Sequence, residues 1–303
     1  MDFALFLLLN AVLFIRPAEI VPTLAGLPIY NAAILGCIVA SFGKILEQLS
    51  TRSLAERPIT VFVLGVWATV ILSNLVRLDL AGAWLQGLEF TKVVVYYLLL
   101  NAVLNAPGRF ERFLSWLVAL VVVMSVLALL HQRGTIQIPG LELIERREYD
   151  EASGKEVGAE VQLMSTGIYN DPNDFCMILV VGICVAIYRG LAPRAGIVRI
   201  AWIAPAILFG YALVLTRSRG GFLGLLAFVL TLLMARSGWR RAVLPAVVLL
   251  PGLLLLSGGR QTAISTGADT AQSRMLLWRE GLIMFLSRPL TGIGAGRYGE
   301  DMV

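Results

Sequence analysis

The chain has 303 residues, 58% of them hydrophobic and 15% charged, with a formal charge of +5 and a mean hydropathy of +0.80. Soluble domains carry roughly 45–50% apolar and about 25% charged residues, so this composition excludes a water-soluble fold. The basic balance comes from arginines at the ends of apolar runs, which argues for membrane topology and against a nucleic-acid partner.

In chain order, breaks at charged and Pro/Gly clusters leave about nine candidate spans, each close to the roughly 17–25 residues that a bilayer needs. The first runs from Asp2 to Ile15. No Lys or Arg precedes it and no small-residue cleavage site follows, so it reads as a retained helix. Next come Pro28 to Gly43, Pro58 to Val76, Gln86 to Leu104 and Phe113 to His131. The fourth of these carries Glu89 and Lys92 one turn apart, a spacing that permits mutual neutralisation. His131 closes the fifth on the outer side, where an imidazole can act as a base but a lone one more often reads as an interfacial residue.

A polar stretch follows from Gln132 to Asp174. Its last residues, Asn170, Asp171, Pro172, Asn173 and Asp174, turn and cap the helix they lead into, with contact to a sugar as the secondary reading. The remaining spans run from Phe175 to Tyr188, Ile200 to Thr216, Gly221 to Ala235 and Ala242 to Ser257. Cys37, Cys176 and Cys184 all fall inside apolar runs, which argues against a disulfide framework or a four-cysteine zinc site.

Charge sets the expected orientation, because Lys and Arg in short loops stay cytoplasmic. Alternate loops carry Lys44, Arg52 and Arg57, then Arg109 and Arg112, then Arg189, Arg194 and Arg199, then Arg236, Arg240 and Arg241. The loops between them offer little beyond Arg16, Arg77, Arg217 and Arg219. The amino terminus is therefore expected in the cytoplasm and everything after Ser257 outside. The expected fold class is all-α, a polytopic integral membrane helix bundle over residues 1–257 with one long extracytoplasmic loop at about 132–174. Residues 258–303 are expected to begin a second, larger extracytoplasmic loop that is interrupted at Val303.

Two features on the outer side suggest chemistry. Arg217, Ser218, Arg219, Gly220 and Gly221 form the hairpin between the seventh and eighth spans. Guanidinium groups bind phosphate through planar paired hydrogen bonds, and glycine lets a backbone approach a bulky anion, so a diphosphate headgroup suits the hairpin. The alternative is that both arginines snorkel to lipid headgroups. The second feature is a helix from Asp269 to Pro289, with capping-box spacing between Asp269 and Gln272 and a proline stop. Arg274, Gly281 and Arg288 fall near one stripe while Arg279 and Glu280 point elsewhere, a pattern for an interfacial or cavity-capping helix rather than a span. The glycines from Gly292 to Gly299 follow a helix and a proline instead of a strand, so they read as a flexible turn and not as a dinucleotide site. No phosphate-binding loop and no His-Glu-x-x-His pair is present.

With these residues in view, the chain resembles the O-antigen ligase and O-antigen polymerase family of bacterial membrane proteins, as an amino-terminal portion. The resemblance rests on the many-span layout, the Asn170 to Asp174 entry, the Ser218-Arg219-Gly220-Gly221 hairpin, and the run through Ser273, Arg274, Trp278, Arg288, Pro289, Leu290, Gly292, Gly294 and Tyr298. It implies an enzyme of the bacterial inner membrane that moves a glycan from an undecaprenyl-diphosphate carrier to a lipid or glycan acceptor, with no metal, nucleotide or other cofactor. It also implies catalytic roles for Arg219 and Arg274. Arg217, Ser218, Gly220, Arg279 and Asn173 are the expected substrate contacts. The family's histidine base, expected further along the large loop, has no counterpart here. The alternative function is a transporter or channel for a small solute, for which Glu89 and Lys92 would be the buried charges.

Overall fold

The computed structural model describes residues 1–141, 144–149, 156–192, 196, 198–238 and 269–299. The chain is an all-α bundle, and among the described residues seven helices are long and apolar enough to cross a membrane. In order these are α1 (Asp2–Ile15) continued by α2 (Pro17–Ile20), α3 (Ile29–Gln48), α5 (Pro58–Leu75), α7 (Pro107–Gln132), α8 (Pro172–Gly190), α9 (Val198–Thr216) and α10 (Arg219–Ser237). They correspond to seven of the nine expected spans. The fourth forms a 24-residue helix, α6 (Leu80–Val103), and the ninth, Ala242 to Ser257, lies outside the described residues. A short α4 (Thr51–Glu56) joins α3 to α5, and α11 (Asp269–Ser287) is the expected loop helix.

Helix ends fall where capping chemistry sits, and not where the apolar run begins. Pro58, Pro107 and Pro172 each occupy the first helical position, where a missing N–H removes no intrahelical bond. For this reason α7 starts at Pro107, ahead of the apolar run read from Phe113, and α6 starts at Leu80 behind an Asp79 cap, ahead of the expected Gln86.

The polar stretch after α7 holds the one strand pair among the described residues. Here β1 (Ile144–Tyr149) runs antiparallel to β2 (Glu156–Gln162), with a bulge at Glu148/Tyr149. The alternation Val157, Ala159, Val161 is a strand period, too short to separate from loop by composition.

Two compact units are present, one of residues 1–6, 35–105 and 265–303, the other of residues 7–34 and 106–264. In the first unit α5 and α6 form an antiparallel hairpin. The indole of Trp67 donates to the Gly87 carbonyl at 3.1 Å and to the Thr91 hydroxyl at 3.0 Å, and Thr60 meets Tyr97 at 3.0 Å. On α3 only Cys37, Ser41 and Gln48 are buried, while Leu35, Val39 and Phe42 are exposed, the arrangement of a helix that turns its apolar face to lipid.

In the second unit α8 is the central helix, packed against α7, α9 and α10. Phe175, Leu179, Phe209 and Leu213 are fully or almost fully buried there. Close packing of α8 on α9 depends on Gly182, where a Cβ would stand 2.8 Å from the ring of Phe209. Gly182→Leu should therefore overpack this contact and cost about 1–3 kcal/mol, read as a lower thermal unfolding midpoint in detergent; an unchanged midpoint would show the contact to be loose.

Candidate functional site

The start of α8 and the start of α10 meet in one polar cluster in the second unit. Asp171 caps α8, accepting from the Asn173 N–H at 2.7 Å. Ser218 caps α10, accepting from the Gly221 N–H at 3.4 Å, and its hydroxyl donates to Asn173 Oδ1 at 2.8 Å. The Cys176 thiol lies 2.9 Å from the Asn173 carbonyl and 3.2 Å from Ser218 Oγ. Ser218 is buried, whereas Asn173, Arg217, Arg219 and Gly220 are exposed around it. Two 19-residue helices thus present their N-terminal ends side by side. A helix N-terminus carries partial positive charge that favours an anion; at α8 the Asp171 cap and Asp174 in the first turn offset it, so the α10 end, flanked by Arg217 and Arg219, is the more favourable place.

The residues of the Ser-Arg-Gly-Gly hairpin have separable reasons. Ser218 is the cap. Arg217 sits in the left-handed region at φ 53°, so the chain reverses sharply between α9 and α10, and the Ser218 N–H donates back to Thr216 Oγ1 at 3.3 Å. Gly221 is required by packing, since a Cβ there would lie 2.8 Å from Cβ and Sγ of Cys176. Gly220 is different: a Cβ would meet only Ser218 Oγ at 3.8 Å. Among the described residues no packing contact accounts for glycine at that position.

Two sequence candidates have structural employment. His131 accepts the Ile138 N–H on Nδ1 at 3.1 Å, which leaves Nε2 to donate to the Leu141 carbonyl at 3.0 Å. Both ring nitrogens organise the loop after α7. Glu89 and Lys92 pair with each other at 2.6 Å, both half-exposed, as the spacing implied. In the second unit, burial pushes the Tyr169 phenol up to about 12, with the Asp174 charge adding to the effect. It therefore stays protonated as an edge contact to Phe14, 5.3 Å between centroids.

The remaining predicted residues, Arg274 and Arg279, stand on α11 in the first unit, with Arg279 exposed. Asn173, Arg217, Ser218, Arg219 and Gly220 are therefore brought together, and the two α11 arginines belong to the other unit. The glycine tail after α11 departs from the bare turn read from sequence. It is hydrogen-bonded to the α5–α6 corner through Ser73, Asn74, Arg77 and Asp79; of these, sequence reasoning noted only Arg77, and only for its charge. One signal for them was available, an Asp placed as an N-cap directly ahead of an apolar run.

The carboxyl of Asp79 is held below its ordinary value of 3.8, first by the Gly82 N–H and then by the Arg297 guanidinium. A depressed carboxylate stabilises the fold fully above its unfolded-chain value, and the contribution is lost as pH falls through the lowered folded value. Among the described residues no group of three His, Cys, Asp or Glu side chains converges as a metal site.

Residues 204–302 match the family model described as O-Antigen ligase, a stretch that includes the Ser218 hairpin and α11. No curated protein and no solved structure matches the chain. The family match bears out the resemblance read from the residues and, with the apolar helices, supports membrane glycosyl transfer in bacterial polysaccharide synthesis. Ser218→Ala should remove a cap and Asn173's partner together, costing about 0.5–2 kcal/mol. The check is hydrogen exchange over residues 219–222, which should speed up; unchanged protection would mean that the cap carries no load.

Proposed function

We propose that this chain transfers a glycan from an undecaprenyl-diphosphate carrier to an acceptor hydroxyl on the extracytoplasmic face of the bacterial inner membrane. The observation that carries the reading is the Asn173–Ser218 cluster with its two flanking arginines, of which the Ser218 hairpin falls within the O-antigen ligase match at residues 204–302 while Asn173 and the start of α8 precede it. In the transfer the bond from the anomeric carbon to the diphosphate breaks as the acceptor oxygen attacks, and the acceptor proton passes to a base. Negative charge collects on the departing diphosphate. Arg219 and Arg274 are the groups that stabilise it, since preformed donors aimed at developing charge account for much of such catalysis. Arg217, Ser218, Gly220, Asn173 and Arg279 bind or shape the donor. The base is not His131, whose two nitrogens are committed to the loop backbone.

Gly220 supports the same reading. Glycine in the first turn of a helix is less stable than alanine, and among the described residues no neighbour requires it at this position. Close approach of a large anion to the backbone accounts for it.

Two ion pairs support the orientation, with residues 1–257 as the bundle and 258–303 as the start of an outer loop. Asp2 with Lys44 at 2.7 Å and Glu111 with Arg189 at 3.1 Å each join groups that the charge rule assigns to the cytoplasmic side.

Purified protein carrying Arg219→Ala or Arg274→Ala should remain monodisperse and lose transfer from an undecaprenyl-diphosphate glycan by roughly 100-fold or more. Lysine at either position should restore little, because it lacks the planar fork; full transfer by both alanine variants would defeat the assignment. The two glycines separate packing from binding: Gly220→Val should lose transfer at an unchanged thermal midpoint, while Gly221→Val should lower the midpoint itself. Equal behaviour of the two variants would remove Gly220 from the donor site.

A further inference from the structure

The segment from Ile293 to Tyr298 is held at both ends. At one end it is bound to the corner between α5 and α6. The Ala295 N–H donates to Ser73 Oγ at 3.3 Å, Asn74 Nδ2 donates to the Ala295 carbonyl at 3.5 Å, and Arg77 donates to the Ile293 carbonyl. Arg297 closes the contact with a 2.5 Å bond to Asp79 Oδ2. The fit requires glycine twice. Gly294 has φ +100° and a Cβ there would lie 2.9 Å from Asn74 Oδ1; Gly296 has φ +83° and its Cβ would collide with the Gln86 amide. At the other end Tyr298 donates its hydroxyl to the Leu277 carbonyl of α11, and its ring stands beside Gly281, where a Cβ would be 3.6 Å from the ring edge.

One segment therefore connects the α5–α6 corner to the middle of α11. The corner is rigid where the segment binds. Asn74 is fully buried at the end of α5, and Asp79 caps α6 through the Gly82 N–H at 2.9 Å. By contrast, α11 exposes Leu276, Trp278, Leu282, Phe285 and Leu286.

We infer that Asp79 and Arg297 are positioning residues for α11, fixing through the Ile293–Tyr298 segment the placement of the helix that carries Arg274. This rests on the role given to Arg274 above. Asp79 does two jobs that substitution can separate. An asparagine at 79 still accepts from the Gly82 N–H and so keeps the cap, while the charge that holds Arg297 is gone. If the two residues act as one pair, removing both costs no more than removing either.

The experiment compares the purified full chain with Asp79→Asn, Arg297→Gln and the double variant, measuring donor KM, kcat and the rate of tryptic cleavage after Arg279 and Arg288. Each single variant should lower kcat about tenfold at little changed KM and accelerate cleavage severalfold, and the double variant should be no worse. A disulfide between Ser73→Cys and Ala295→Cys, placed in the Arg297→Gln background, should restore both slow cleavage and kcat. Unchanged cleavage in all variants would overturn the tether, and faster cleavage with an unchanged kcat would overturn the positioning role. Should the parent chain transfer no glycan, the reaction reading falls, while the cleavage rates still decide whether the corner holds α11.

Discussion

In hydrocarbon a backbone amide has no water to bond, so each crossing segment must satisfy its own N–H and C=O groups as a helix. That constraint leaves the first N–H groups of every helix as the places where side chains must intervene. In this chain the sites with chemical content are cap sites. Ser218 and Asp171 serve α10 and α8 in the second unit, and Asp79 serves α6 in the first. Two of these caps also hold something beyond their own helix: Ser218 holds Asn173, and Asp79 holds Arg297. Structural necessity at a helix end and the assembly of a polar cluster are met by the same atoms.

A consequence is that the arginines of the hairpin are placed by a residue other than themselves. Ser218 is buried and bonded on several sides, so its neighbours are forced outward on either flank of the two helix ends. A left-handed backbone at Arg217 costs of order 1–3 kcal/mol, and the hydrogen bonds around Ser218 and Thr216 over-determine the turn enough to hold it. On the proposed reading, arginines carried on such a fixed turn would lose less backbone freedom on binding a diphosphate than arginines on a mobile loop.

Much of this was legible in the sequence because the signals are local. Unbroken apolar runs marked the helices, and the Asn170 to Asp174 and Ser218 to Gly221 stretches stood out as polar punctuation. Their meeting was not legible, since a bond between residues 173 and 218 depends on how α8, α9 and α10 pack. Helix starts were placed late at α6 and α7 because hydropathy marks where burial begins, while caps and Pro at the first position mark where hydrogen bonding begins. The strand pair at Ile144–Tyr149 and Glu156–Gln162 escaped notice because its alternation is short and set among charges.

The glycine tail shows why composition misleads about rigidity. Glycine widens the conformations open to an unfolded chain, so a run of alternate glycines reads as flexible. Yet the same missing side chain lets Gly294 come against Asn74 and Gly296 against Gln86, approaches that any larger residue would block. Once neighbouring helices supply donors and acceptors for the segment's own backbone, the glycines serve contact instead of motion. Whether a glycine-rich stretch is loose or locked is thus decided by polar groups on other elements, here Ser73, Asn74 and Arg77, each more than two hundred positions away in sequence.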